Sequence, residues 1–169
     1  MKYIRKYQTP KNFSDLILVS DGKLLTGLCF EGTEDAESIN GEEKDLPVFE
    51  DTVRWLDQYF QGRNSDFLPE YKAETKSGFR REVWELLEKI PYGKTVTYGE
   101  LADKIAERRG IPKMSAQAVG NAVGANPIGI IVPCHRVMGK NGKLTGYGGG
   151  LKNKLALLKL EGIETEGFR

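Results

Sequence analysis

The segment Pro133-Cys134-His135-Arg136 places the only histidine of the chain beside one of its two cysteines. Sulfur attacks as the thiolate, and a free thiol is only a few per cent ionised near neutral pH. An imidazole that accepts the proton raises that fraction, so the pair has the composition of a nucleophile with its base. It follows the apolar run Ile130-Ile131-Val132. Neighbouring side chains of an extended strand point to opposite faces, so contact between the two residues requires a bend near Pro133. By itself the dipeptide is weak evidence and fits better a buried thiol beside a partly exposed ring.

The elements around it narrow the choice. Phe79, Val83, Trp84, Leu86, Leu87 and Ile90 trace one helical face that ends at Pro91 and Gly93. Thr97 and Glu100 have capping-box spacing, so a helix starts at Tyr98, with Leu101, Ala102 and Ile105 inward. Gly110-Ile111-Pro112 breaks the chain, and Ser115 caps a second helix running to about Gly124. Two short helices joined by a turn read as a helix-turn-helix, against the plainer alternative of a helical pair. The second helix turns Gln117, Gly120, Asn121 and Gly124 outward, and with Ala116, Ala118, Gly120 and Gly124 it offers little side chain for reading bases in a major groove. Such a surface suits close, sequence-independent approach of backbone to a narrower groove. A last helix carries Leu155 and Leu158 on its inner face with Leu151, and ends at Gly162. Glu161 then lies in its final turn, where the helix dipole disfavours an acid, so a partner is expected.

Charge points the same way. Residues 1–74 carry 9 Lys+Arg and 15 Asp+Glu, net −6, while residues 75–169 carry 16 and 9, net +7. From Arg108 to Leu160 there are nine basic residues and no acid: Arg108, Arg109, Lys113, Arg136, Lys140, Lys143, Lys152, Lys154 and Lys159. A solvated face normally mixes signs, so a polyanion-facing surface is expected. In the first half, Leu16–Val19 and Leu24–Phe30 around Asp21-Gly22 read as a β-hairpin, Glu31–Leu46 as an acidic loop, and Phe49–Phe60 as a helix ended by Gly62. Residues 63–77 read as a linker. Cys29, between Leu28 and Phe30, reads as a buried core residue.

Taken in order, Tyr98-Gly99-Glu100-Leu101-Ala102, Ala118-Val119-Gly120, Asn126-Pro127, Ile131-Val132-Pro133-Cys134-His135-Arg136-Val137, Thr145-Gly146-Tyr147 and Gly149-Gly150 resemble the methylated-DNA–protein-cysteine methyltransferases, the O6-alkylguanine-DNA alkyltransferases. The likeness is strong from about Phe79 to Glu161 and weak before that. It implies an α/β (α+β) fold: a small sheet-and-helix domain, residues 1–74, then a mainly helical domain, residues 75–169, with a helix-turn-helix and an active-site loop. It implies that Cys134 accepts the alkyl group, irreversibly and once per molecule, and that His135 takes its proton through a water, with Glu161 orienting the ring. Asn126 would brace the cysteine turn, and Tyr147 would hydrogen-bond the target base. Tyr98 would crowd the target phosphate so that the nucleotide of O6-alkylguanine, or of O4-alkylthymine, flips out through the minor groove. Ala116, Gln117, Ala118, Gly120, Arg136, Val137, Lys140, Tyr147 and Gly148 would line the DNA and base contacts.

The chain departs from the family pattern twice. Gln117 stands where relatives carry the arginine that fills the gap in the base stack, which puts affinity and flipping in doubt. Gly148 stands where relatives often carry serine, which would widen the pocket. The implied partner is double-stranded DNA carrying O6-alkylguanine, bound by a monomer with no cofactor and no metal. The first half has Cys29 and no histidine, too few ligands for zinc.

Two cysteines in unlike surroundings form no disulfide framework, so a reducing cytosol is expected, or a nucleus in a eukaryote. No apolar stretch reaches the length of a membrane span. Three rival readings stay open: a non-enzymatic alkylated-DNA lesion binder, which Cys134 argues against; a helix-turn-helix regulator, which lacks a sensor domain; and a thiol hydrolase, which leaves the acid-free stretch unexplained.

Overall fold

The computed structural model describes residues Met1–Arg169. The hairpin forms as expected, with β2 (Leu16–Ser20) antiparallel to β3 (Leu25–Phe30), and Asp21 closing the turn by accepting from the Lys23 and Leu24 amides. Two further strands of this sheet escaped the sequence reading. β1 (Tyr3–Tyr7) pairs with β2, and β4 (Glu42–Glu43) runs parallel to β1, giving the order β3-β2-β1-β4. β1 is Tyr-Ile-Arg-Lys-Tyr and β4 only Glu-Glu, so neither shows an apolar alternation to detect. The acidic segment expected as loop therefore holds β4 and also α1 (Glu34–Glu37), which Thr33 caps through the Ala36 amide.

α2 (Pro47–Phe60) covers the sheet with Phe49, Leu56 and Tyr59, and Gly62 follows it at φ +80°. The expected linker is no free tether. Its Glu70 carbonyl and Lys72 amide bond the Leu25 backbone at the exposed edge of β3. Farther along the same edge, the Leu28 amide bonds the Pro127 carbonyl and the Gly129 amide bonds the Leu28 carbonyl. An unpaired edge strand presents free amides and carbonyls; here the linker and the second half use them, and the cysteine turn is thereby anchored to the sheet.

α3 (Gly78–Glu88) starts at Ser77 and packs on α4 (Tyr98–Arg109) and α5 (Ala116–Gly124). The caps are those expected: Thr97 accepts from the Glu100 amide and Ser115 from the Ala118 amide. The Trp84 indole donates to the Ala122 carbonyl at 2.8 Å, fixing α5 against α3. β5 (Val96–Thr97) and β6 (Val137–Met138) pair in parallel, and α6 (Leu151–Leu160) closes the chain. The inner face of α6 differs from the expected one. Leu151 is exposed and Leu155 half-buried, whereas Asn153, Lys154, Leu157 and Leu158 face inward. No helix is long and apolar enough to cross a membrane.

Candidate active site

The cysteine sits on a chain of tight turns. Ile130 has φ +68°, costly for a β-branched residue, and Pro133 (φ −81°, ψ 63°) forms an inverse γ-turn closed by the Cys134 amide on the Val132 carbonyl. Asn126 braces this turn: its amide donates to the Ile128 and Val132 carbonyls, and its oxygen accepts from the Ile128 amide. Cys134–Arg136 then coils into one turn of 3-10 helix. That is the bend which adjacent side chains need in order to serve one site.

Behind the sulfur lies a buried polar network. Glu161, the C-cap of α6, accepts five hydrogen bonds: from the Gly93 amide and Arg136 Nε on Oε1, and from His135 Nε2, Arg136 Nη2 and the Tyr59 hydroxyl on Oε2. The His135 and Tyr59 contacts are both 2.6 Å. Burial would raise the Glu161 carboxyl, but the hydrogen bonds and positive charges of His135 and Arg136 overrule it and hold the group at about 2. An ionised carboxylate only accepts, so the hydrogen of neutral His135 resides on Nε2. Nδ1 is then a lone-pair acceptor, buried and without a partner among the protein atoms. Burial also pushes the imidazole below its usual value, with Glu161 pulling the other way, so the ring is an available base at neutral pH.

Burial raises the Cys134 thiol, while the nearby Asn126 amide and the Lys154 charge lower it. Lys154 is fully buried. Its ammonium donates to the Val137 carbonyl at 2.6 Å and the Thr145 carbonyl at 3.3 Å, and burial lowers it to about 8. Cys134 opens into a cavity of about 350 Å³ lined by Asn126, Tyr147, Gly148 and Gly149 and, from the first half, by β3 and Asp35. Burial, then the neighbouring Cys134, keeps the Tyr147 hydroxyl protonated and able to donate.

A second, open groove runs between the two short helices. Tyr98, Ala116, Gln117, Gly120 and Lys140 line it together, and Gln117 and Lys140 are exposed. A Cβ at Gly120 would make ordinary van der Waals contact with the Tyr98 ring, 3.7 Å away. Ala118 is half-buried and outside the lining. The groove also carries Glu100 and Asp103, so its charge is more mixed than the acid-free stretch suggests.

Three expectations need correction. Arg136 is no surface contact: it is buried, bidentate on Glu161 and bonded to the Ile90 carbonyl. Val137 is buried and its carbonyl is taken by Lys154. The basic stretch accordingly presents fewer charges outward than its count, because Arg136 and Lys154 point inward and Arg109 pairs with Glu82. The third correction is Cys29, which is half-exposed and lines the same cavity as Cys134. It alternates outward between buried Leu28 and Phe30 because an edge strand has two faces.

Two residues of the network were missed. Lys154 shares a helical face with Leu157, Leu158 and Glu161, a spacing that could have revealed it. Tyr59 has no sequence signal, lying 102 positions from its partner.

Comparison with known proteins covers both halves. The family described as 6-O-methylguanine DNA methyltransferase, DNA binding domain, matches residues 78–163, and the ribonuclease-like domain of the same family matches residues 2–69. A methylated-DNA–protein-cysteine methyltransferase of Methanosarcina acetivorans is 52% identical over 161 residues, covering 95% of this chain and 98% of the relative. The one from Haemophilus influenzae is 39% identical over 155 residues, covering 91% and 84%. The crystal structure of the Mycobacterium tuberculosis O6-methylguanine methyltransferase superposes with TM-score 0.81 at 41% identity, covering 100% of this chain and 96% of that one. The structure of the same organism's protein in complex with DNA gives 0.80 at 40% identity, covering 94% and 92%. With both halves matched and the cysteine in place, the chain belongs to the methylated-DNA–protein-cysteine methyltransferase family, a class of alkyl-transfer enzymes.

Proposed function

We propose that this protein repairs DNA by moving the alkyl group of O6-alkylguanine onto Cys134, once per molecule. The observation that carries the reading is the buried chain Cys134, His135, Glu161 opening into a cavity large enough for a base. His135 Nδ1 takes the thiol proton through a bridging water, and Glu161, already ionised, supports the imidazolium. Lys154 favours the thiolate electrostatically. The sulfur displaces the base from the alkyl carbon, Tyr147 donates to the departing ring, and the resulting thioether has no leaving tendency. O4-alkylthymine, with the same enol-ether chemistry, is a second substrate on this reading.

The base reaches the cavity by flipping through the minor groove, with Tyr98 at the start of α4 pressing the phosphate and Gln117 of α5 entering the stack. Gln117 is exposed in the groove beside Tyr98, which supports that placement. DNA binding rests on exposed Arg108, Lys113, Lys140, Lys143, Lys152 and Lys159 and is largely sequence-independent. The protein acts as a monomer, with the halves at residues 1–74 and 75–169 as its two domains.

Intact-protein mass after incubation with a duplex containing O6-methylguanine tests the reaction. One added methylene, mapped to the Cys134 peptide, is expected. Tight lesion binding with no mass change would mean a lesion binder instead. Gln117→Arg is expected to tighten duplex binding and steepen its salt dependence by about one phosphate-equivalent charge. It should leave reaction with free O6-benzylguanine unchanged, and equal affinity for both proteins would place the wedge elsewhere.

A further inference from the structure

The cavity that opens onto Cys134 is closed on one side by the acidic half of the chain, and its charged lining residues are Lys2, Asp35 and Glu74. Asp35 lies on α1. Its carboxylate takes part in no ion pair or side-chain hydrogen bond, and only its backbone carbonyl is engaged, by Ser38. A Cβ added to Gly148 would lie 3.2 Å from Asp35 Oδ2. Gly148 does not have the positive φ of Gly150, so backbone conformation does not call for glycine there. A side chain at 148 would begin in tight contact with the carboxylate and would have to push it aside by a few tenths of an ångström. The expected widening of the pocket at Gly148 is thus partly taken up by a charge from the other half of the chain. That charge reaches the sulfurs, since Asp35 adds to the upward push that burial gives both Cys134 and Cys29.

We propose that Asp35 is a specificity-determining residue of the alkyl pocket: its carboxylate, seated over Gly148, disfavours O6 substituents that end in an anion and admits neutral and cationic ones. The inference rests on the alkyl-transfer reading. In that reaction a bond forms between the Cys134 sulfur and the carbon attached to O6. The C–O6 bond breaks with its electron pair going to the base, and the proton lost by the thiol returns to give guanine. A carboxymethyl substituent carries its negative charge through all of these steps. Its repulsion by Asp35 therefore acts on entry and in the transition state alike. The Lys154 ammonium, held by two backbone carbonyls, acts on the Cys134 thiol with the sign opposite to that of Asp35.

The test compares single-turnover transfer from duplexes containing O6-(carboxymethyl)guanine and its neutral isostere, O6-(carbamoylmethyl)guanine. Taking the ratio of the two rates, and comparing that ratio between proteins, cancels their different intrinsic reactivity. Asp35→Asn is expected to raise the carboxymethyl-to-carbamoylmethyl ratio about three- to tenfold at low salt, less at high salt because Asp35 is exposed. Asp35→Lys should raise it further. Gly148→Ser, which displaces the carboxylate without removing it, should move the ratio in the same direction and by less. A ratio unchanged in both Asp35 variants overturns the proposal. Failure of the alkyl-transfer reading looks different: wild-type protein would then move no substituent, methyl included, onto Cys134.

Discussion

Cys134 and Cys29 line the same cavity, and burial raises both thiols, yet their surroundings oppose each other. Around Cys134, burial is countered by the nearby Asn126 amide and by the Lys154 ammonium, and His135, the proposed base, is the next residue. Around Cys29, Asp35 and Glu31 reinforce burial and carry the thiol to about 11, with no base at hand. Exposure favours Cys29, the more open of the two. On the proposed reaction, access to a cavity does not make a nucleophile; the sign of the charges behind the sulfur does.

The largest effect that can break this comparison is Cys134→Ser. Transfer should be abolished, because a serine hydroxyl is not ionised at neutral pH, while lesion binding persists. Peptide mapping decides the point: an alkyl group on Cys29 in that variant would show that the shared cavity, and not the network, selects the acceptor.

Next in size is Glu161→Gln, expected to slow transfer roughly 10²-fold by removing the anion that supports the His135 imidazolium. Glu161 raises the affinity of His135 for its proton. Its removal should therefore shift the acid limb of the pH–rate profile to lower pH while the plateau falls, a combination that loss of folding does not produce. The variant also leaves Arg136 a buried cation without a carboxylate, so a stability loss of about 3–5 kcal/mol is expected in urea unfolding. In wild type, the Glu161 carboxyl sits at about 2, below its ordinary 4.5. Its stabilising contribution is complete above pH 4.5 and is lost as the pH falls toward 2. The Gln variant should have a flatter pH dependence of stability across that window.

Lys154→Gln sharpens the contrast more gently, keeping an N–H donor for the Val137 and Thr145 carbonyls and deleting the charge. A slowing of about tenfold is expected, with the midpoint of iodoacetamide alkylation of Cys134 moved to higher pH. An unmoved midpoint would remove Lys154 from the activation of the thiol. The smallest effect belongs to Cys29→Ser, which should change the rate of alkyl transfer by less than about twofold, because that thiol stays protonated at neutral pH.

Much of this protein was decided locally and was therefore legible in its sequence. The caps at Thr97 and Ser115, the hairpin turn at Asp21-Gly22, the bend at Pro133 and the Asn126 brace depend on residues within a few positions of one another. The proposed nucleophile, base and supporting acid follow from the motif, from the family resemblance and from the unfavourable place of Glu161 at a helix end. What tertiary structure alone decided is which charges face inward and what the first half contributes. Arg136 and Lys154 looked like two more bases of a DNA-facing stretch, because a sequence shows the sign of a side chain and not the side of the fold on which it ends. Tyr59 and Asp35 reach the site only because the β3 edge is completed by backbone of the second half, bringing α2 against Glu161 and α1 against Gly148. Contacts between segments a hundred residues apart leave no periodicity in either one, since they depend on packing and not on local conformational preference.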